Sequence, residues 1–167
     1  MNNKLYKTYL LLGGNLGNRA ENLAEAIALI ANSVGEILKK SAVYETDAWG
    51  SEIPQPAHLN QAVLVATELE PQTLLEELQN IENKLGRTRQ VVWGNRTIDI
   101  DIIFFDNTIM NTASLIIPHP RMQNRKFVLV PLADIALEIV HPIFQENVAK
   151  LLLECSDKLE VKKWKNL

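Results

Sequence analysis

Two aspartates separated by a single residue stand in an apolar stretch of this sequence. Asp99 and Asp101 alternate with isoleucines in the run Thr97-Ile-Asp-Ile-Asp-Ile-Ile-Phe-Phe105, a pattern that predicts a β-strand. Side chains two positions apart point to the same face of a strand, about 6–7 Å apart at the backbone. Two carboxylates among apolar neighbours are costly unless a cation lies between them. Because carboxylate oxygens suit hard cations, the pair predicts a divalent metal site, with Mg²⁺ as the preferred ion.

Three arginines precede this strand within a dozen residues. Arg87, Arg89 and Arg96 lie with Trp93 in a segment that contains no acidic residue. Guanidinium groups bind phosphate oxygens through paired hydrogen bonds, and metal ions neutralise the charge of a polyphosphate. The combination points to chemistry on a metal-bound polyphosphate. The alternative is that the aspartates are merely solvated and that the arginines form an ordinary surface patch.

Length and composition bound the class of protein. A chain of 167 residues with 47% apolar and 22% charged residues is typical of a globular protein, and we expect a single domain spanning 1–167. The net charge of −3 does not favour a nucleic-acid or membrane partner. The lone Cys155 cannot form an internal disulfide, which fits a reducing cytoplasm. We therefore expect a cytoplasmic monomer.

The order of the predicted elements is typical of an α+β domain. Strands are predicted over 7–12, 36–46, 59–69 and 98–104, and helices over 18–35 and 71–86. Strand, helix, strand, strand, helix, strand is the ferredoxin-like βαββαβ pattern, an antiparallel sheet with helices packed on it, here followed by extra C-terminal elements. The strand with the two aspartates is expected at or near the centre of the sheet. The segment Trp49–His58 is too long for a tight hairpin, so it is a candidate functional loop.

The first strand ends in the turn Gly13-Gly-Asn-Leu-Gly-Asn18. It lacks the Gly-Lys-Ser/Thr end of a P-loop, and its glycines do not fit G-x-G-x-x-G. We interpret it as a tight strand-to-helix turn that lines a site. Asn18 and Glu21 have the spacing of a helix-capping box.

Several segments together carry a resemblance to one enzyme family. They are Gly13-Gly-Asn-Leu-Gly-Asn18, Leu59-Asn-Gln-Ala-Val63, Gln79-Asn-Ile-Glu82, Leu85-Gly-Arg-Thr-Arg89, Trp93-Gly-Asn-Arg-Thr-Ile-Asp-Ile-Asp101, Pro118-His-Pro-Arg121 and Arg125-Lys-Phe127. In this order, from residue 8 to residue 142, the chain resembles the 6-hydroxymethyl-7,8-dihydropterin pyrophosphokinases. The resemblance implies an ATP-dependent diphosphotransferase of folate biosynthesis. Such an enzyme transfers pyrophosphate from ATP to the hydroxymethyl group of 6-hydroxymethyl-7,8-dihydropterin and releases AMP.

The resemblance also implies roles for individual residues. Asp99 and Asp101 would hold two Mg²⁺ ions that bridge the ATP phosphates, and Arg87 and Arg96 would be the catalytic cations. Residues implied around ATP are Gln79, Glu82, Arg89, Trp93, Arg96, Ile102, His119 and Arg125. Residues implied around the pterin are Thr46, Asp47, Ala48, Trp49, His58, Asn60 and Phe127. His58 stands where the family usually has Tyr or Phe, and an imidazole offers a smaller stacking area.

Two other function classes share part of this pattern. A nucleotidyl-transferring enzyme with a palm-like ferredoxin sheet also uses paired strand aspartates and two metal ions, but it usually needs a wider basic surface than a chain at −3 offers. An RNA-binding module on the same fold would need exposed aromatic residues on its sheet, and only 6% of the residues are aromatic. Incubation with ATP and either a pterin alcohol or a nucleic-acid primer distinguishes a pyrophosphokinase from a nucleotidyl-transferring enzyme.

We predict that Arg96→Ala lowers kcat by ~10²-fold or more, the range for losing a preorganised charge donor in the transition state. Steady-state kinetics at saturating substrates measures the effect, with Lys158→Ala in the basic C-terminal tail as the control. A change in KM alone would argue against a transition-state role for Arg96.

Overall fold

The fold is built on a six-stranded antiparallel sheet. The computed structural model describes residues 3–47, 55–86 and 97–165. Within these ranges the strands are β1 (Tyr6–Gly14), β2 (Gly35–Lys40), β3 (Tyr44–Thr46), β4 (His58–Thr67), β5 (Asp99–Phe105), β6 (Met110–Asn111), β7 (Ile116–Ile117) and β8 (Lys162–Lys163). The helices are α1 (Arg19–Ser33), α2 (Pro71–Lys84), α3 (Lys126–Ala136) and α4 (Val148–Glu154), with a short 3-10 helix at Met122–Asn124.

The strand order confirms the α+β prediction and corrects one detail. The sheet runs β5–β1–β4–β3–β8, and β2 pairs with the other half of β4. The expectation that the aspartate strand lies at or near the centre was wrong, because β5 pairs only with β1 among the described strands. Eight of the nine residues of β1 are buried, so β1 needs a strand on each side. β5 carries acids on one face and tolerates the edge.

The predicted strand over 36–46 is two strands, β2 and β3. The chain leaves the ladder at Ser41, whose N–H donates to the carbonyl of Ala62 at 2.9 Å and whose hydroxyl accepts the N–H of Ala62 at 2.9 Å. A side-chain oxygen thus replaces a strand carbonyl, so the backbone can turn without leaving the N–H of Ala62 unpaired. The short strand β3 then forms its own ladder with the start of β4.

Apolar cores lie on both faces of the sheet. The first packs α1 and α2 against Leu10, Leu12, Ile100 and Ile102, and the second packs α3 and α4 against Tyr9, Leu11, Leu64, Ile103 and Phe104. The register of β1 and β5 shifts between Tyr9 and Leu10, so Ile103 has no partner of its own. Because Ile100 and Ile102 anchor in the first core, the alternating Asp99 and Asp101 face the side of the second core.

The ends of helices α1 and α2 lie where the local sequence signals predict. The side chain of Asn18 accepts the N–H of Glu21 at 3.2 Å, which confirms the predicted cap, and Gly86 follows α2 with a φ of 84°. The lysine-rich tail extends the sheet: β8 pairs with β3, and the Trp164 N–H donates to the carbonyl of Val43 at 2.8 Å. No helix in the described ranges is long and apolar enough to cross a membrane.

We predict that Tyr44→Phe lowers the free energy of unfolding by about 1.5–3 kcal/mol, the typical contribution of a hydrogen bond to a charged acceptor. The buried Tyr44 hydroxyl donates to both carboxylate oxygens of Asp134, at 2.9 and 2.8 Å, and ties β3 to α3. Urea denaturation measures the loss. The matched control is Tyr9→Phe, because the Tyr9 hydroxyl makes no hydrogen bond to the described residues.

The same pair gives the stability loss a pH dependence. Burial and the hydrogen bond to Asp134 raise the pKa of Tyr44 from 10.0 to about 12. A raised pKa means that Tyr44 stabilises the fold fully below pH 10 and loses this effect as the pH rises through 12. The stability gap between the wild type and Tyr44→Phe should therefore narrow from pH 10 to 12, and a constant gap would contradict the assignment.

Candidate active site

A row of directly opposed residues, here called the polar row, crosses the sheet just outside the area that the second core covers. Asp99 of β5 pairs with Gly13 of β1, Gly13 pairs with Asn60 of β4, and Asn60 pairs with Tyr44 of β3. Directly opposed residues of neighbouring strands share a face. The preceding row contains Asp101, Leu11 and Ala62, and its last two members belong to the second core. The polar row is therefore the point at which the apolar covering of this face ends.

The two aspartates are half-buried on this face. No group of three or more His, Cys, Asp or Glu that could hold a metal ion occurs within the described ranges. Two carboxylates suit Mg²⁺, which commonly takes one or two protein carboxylates and completes its shell with water and substrate phosphates. The donor set thus fits a metal carried in with a polyphosphate rather than a closed structural site.

A pocket of about 280 Å³ opens beside the edge of β5 that faces away from β1. Its lining combines apolar side chains with a few polar groups: Leu75, Ile100, Asp101, Ile102, Ala113, Ser114, Leu115, Ile116, His119 and Pro120. The structure thereby brings together the predicted site residues Asp101, Ile102 and His119. Leu75, Ile100 and the 113–116 segment were missed, although the alternation of β5 could have placed Ile100 beside Ile102.

His119 is held in one orientation by backbone contacts. The backbone N–H of His119 donates to the carbonyl of Ile103 at 3.0 Å, and the ring Nδ1 of His119 accepts the backbone N–H of Arg121 at 3.2 Å. Burial lowers the pKa of His119 from 6.5 to about 4; Arg125 and Arg121 add to this shift, and Asp99 opposes it. The imidazole is therefore neutral at pH 7, with Nε2–H as the tautomer that leaves Nδ1 free to accept.

Two charged residues predicted at the site are buried. Glu82 of α2 is 3% exposed and Arg125, just before α3, is 8% exposed. Glu82 lies inside the fold, whereas Gln79, three residues earlier on α2, is half-buried. Arg125 lies 5.7 Å from the ring centre of Phe127, a cation–π contact that holds the two side chains together.

The other end of the polar row lies where β3 and β4 meet. Asn60 and Thr46 are both buried, and Asn60 Nδ2 donates to Thr46 Oγ1 at 3.4 Å. A Cβ added to Gly13 would overlap Asn60 Oδ1, so the glycine makes room for the amide. His58 pairs with Thr46 in the same ladder, and the exposed Asp47 follows.

The remaining predicted site residues cannot be placed. Ala48 and Trp49 from the pterin set, and Arg87, Arg89, Trp93 and Arg96 from the phosphate set, lie outside the described residues. Their assignments stay predictions from the sequence.

The fold and the site define an α+β protein whose edge strand carries paired carboxylates between a pocket and a buried amide. The sequence model of the 7,8-dihydro-6-hydroxymethylpterin-pyrophosphokinases (HPPK) matches residues 9–137. The 2-amino-4-hydroxy-6-hydroxymethyldihydropteridine pyrophosphokinase of Bacillus subtilis (strain 168) is 48% identical over 132 residues, which cover 78% of each chain. The enzyme of the same name from Haemophilus influenzae is 39% identical over 155 residues, covering 92% of this chain and 96% of the relative.

Solved structures agree in fold. Plasmodium falciparum HPPK-DHPS with pteroate superposes with a TM-score of 0.76 at 18% identity, covering 92% of this chain. This chain spans 43% of that longer protein, and nothing of the remainder is carried over. The chain belongs to the 7,8-dihydro-6-hydroxymethylpterin-pyrophosphokinase family. It is a transferase of folate biosynthesis that moves a pyrophosphoryl group to hydroxymethyldihydropterin, and the family uses ATP as co-substrate.

We predict that the His119 resonance titrates near pH 4 in an NMR experiment, with His119→Gln used to assign the signal. Because the pKa is lowered, this group stabilises the fold above pH 6.5 and the effect is lost as the pH falls towards 4. Asp99→Asn should lower the midpoint further, since it removes the carboxylate that opposes the shift. A midpoint near 6.5 would contradict a pKa lowered by the half-buried position of His119.

Proposed function

We propose that Asp99 and Asp101 hold two Mg²⁺ ions on ATP while the hydroxymethyl oxygen of the pterin attacks the β-phosphorus. The observation that carries this proposal is the position of the two carboxylates: one face of one strand, between the pocket at the edge of β5 and the buried amide of Asn60. Bound there, Mg²⁺ would supply neutralisation of the polyphosphate charge and polarisation of the attacking hydroxyl.

The pocket beside β5 suits the adenine of ATP. The side chains of Leu75, Ile100 and Ile102 offer an apolar lining for a flat ring, and the neutral His119 offers a hydrogen-bond donor without a charge. Asp101 belongs to the same lining, so a nucleotide seated there would extend its phosphates towards the carboxylates. The other residues that we assign to ATP are Gln79, Glu82, Arg89, Trp93, Arg96 and Arg125.

The Asn60 end of the row suits the pterin. A pterin ring presents donors and acceptors along one edge, and a carboxamide can satisfy both kinds. Asn60 is held by Thr46 and is too buried to exchange its partners freely with water. We assign Phe127 and His58 to the two faces of the ring. Thr46, Asp47, Ala48 and Trp49 complete the set.

The transfer itself needs little covalent participation by the protein. A bond forms between the hydroxymethyl oxygen and the β-phosphorus, the bond from the β-phosphorus to its bridging oxygen breaks, and AMP leaves. Arg87 and Arg96 would stabilise negative charge on the transferred group and on the departing oxygen. Asp99 is the candidate acceptor for the hydroxyl proton. Exclusion of water from the closed site would prevent simple hydrolysis of ATP.

The remaining parts of the proposal concern the whole chain. We assign residues 1–167 to a single pyrophosphokinase domain that works as a cytoplasmic monomer on small-molecule substrates. Two observations support this assignment: cores on both faces of one sheet, and one half-buried cysteine without a disulfide partner among the described residues.

We predict that Asp101→Ala and the isosteric Asp101→Asn abolish Mg²⁺-dependent formation of AMP, because either change removes a metal-ligating charge. The assay incubates enzyme, ATP and 6-hydroxymethyl-7,8-dihydropterin and separates AMP from ADP, with circular dichroism as the check on folding. The matched control is Asp106→Asn, which follows β5 and lies outside the pocket lining.

Two outcomes would argue against the proposal. Near wild-type turnover in either Asp101 variant would exclude the metal assignment. Formation of ADP, or of AMP without the pterin, would exclude the reaction.

A further inference from the structure

Arg19 occupies a helix position that local propensity does not favour for a cation. It is the first residue of α1, directly after the N-cap Asn18. The N-terminus of a helix carries partial positive charge, so an arginine there weakens rather than supports the helix. A residue that breaks a local rule usually has a compensating role elsewhere, and the contacts of its guanidinium group show where that role lies.

The guanidinium joins the two strand ends that flank the proposed pterin site. Arg19 Nη1 lies 2.6 Å from Glu45 Oε2 and also donates to the carbonyl of Ala57 at 2.9 Å. Glu45 is the residue before Thr46 in β3, and Ala57 is the residue before His58 in β4. One cation therefore contacts both strands at the point where they carry proposed pterin ligands.

The turn before α1 supports the same region. Asn15, only 3% exposed, donates from Nδ2 to the carbonyl of Pro56 at 3.2 Å. Gly13 leaves space for the amide of Asn60. The β1–α1 turn, interpreted from sequence as lining a site, thus contacts Pro56 in the chain that leads into β4 and makes room for Asn60 within β4.

Strand β3 needs such support because it is short. It consists of three residues, and its ladder with β4 ends at Thr46. Short ladders with exposed ends open at little cost in free energy. Side chains fix it from both sides: Tyr44 is tied to Asp134, and Glu45 is tied to Arg19. The Arg19 and Glu45 side chains are 26% and 36% exposed, so the pair is partly shielded from solvent.

We propose that Arg19 is a positioning residue for the pterin substrate, acting through Glu45 and Ala57. By holding both strand ends, it sets the separation between Thr46 and Asp47 on one side and His58 and Asn60 on the other. The inference rests on the proposed location of the pterin. Preorganisation of this kind lowers the cost of ordering a site when the ligand binds, so its loss should weaken pterin binding and leave the chemical step and ATP binding unchanged.

The experiment compares Arg19→Gln, Arg19→Lys and Glu45→Gln with the wild type in steady-state kinetics for both substrates. We expect Arg19→Gln and Glu45→Gln to raise the pterin KM by about three- to tenfold, the effect of losing a partly exposed charged hydrogen bond. The ATP KM and kcat should stay within about twofold. Arg19→Lys retains a charged donor and should recover most of the pterin affinity. The double variant should be little worse than either single one, because both remove the same pair.

Two control variants make the result interpretable. Glu146→Gln breaks a comparable surface pair in which Lys150 Nζ lies 2.8 Å from Glu146 Oε1, and it should change neither KM. Asn60→Ala tests the pterin site itself and should raise the pterin KM. If Asn60→Ala has its effect and the Arg19 and Glu45 variants have none, the positioning role is wrong and the proposed site stands. If Asn60→Ala has no effect, the proposed site fails, and the positioning role fails with it.

A purely structural role for Arg19 would give a different pattern. The melting temperature would fall and both KM values would rise together, since the whole fold would loosen. That pattern would overturn the inference. A rise in the pterin KM alone, with rescue by Arg19→Lys, supports it.

Discussion

The placement of two neighbouring carboxylates on one face of β5 is the constraint on which the rest of the site depends. Asp99 and Asp101 cannot turn away from each other, because Ile100 and Ile102 anchor the opposite face of β5 in the first core. A slip of one residue in the pairing with β1 would drive both acids into that core. The pairing of β5 with β1 is therefore tightly specified, and it places two acidic side chains side by side on one face of the sheet.

The edge position of β5 allows the strand to serve two purposes. Its inner neighbour, β1, is buried along almost its whole length, which leaves no room for charged groups at the centre of the sheet. Among the described strands only β1 pairs with β5, and the other side of β5 borders the pocket that contains Asp101 and His119. The same strand thus borders the pocket along its edge and contributes Asp99 to the polar row on its face.

Much of this arrangement could be predicted from the residues alone, and the reasons for the exceptions are physical. The alternation in β5, the cap at Asn18 and the helix that begins at Pro71 are local patterns, and each was confirmed. Strand order depends on which faces of the strands become buried after folding. The residue pattern of a single strand does not determine this. The break at Ser41 depends on a single hydroxyl meeting Ala62 across the sheet, and the burial of Glu82 depends on neighbours distant in sequence. Assignments to ATP and the pterin came from family resemblance, since residue spacing indicates acids, cations and rings but no particular substrate.

The pairing of the C-terminal strand with β3 gives the end of the chain an influence on the site. Lys162 and Lys163 shield the backbone of Tyr44 and Glu45, and Trp164 packs against the first core and bonds to Val43. Removal of the chain from Lys162 onward would turn β3 into a bare edge, with unpaired amide and carbonyl groups open to a second chain. Trimming the tail would therefore invite self-association at the same short strand that Arg19 and Tyr44 hold in place.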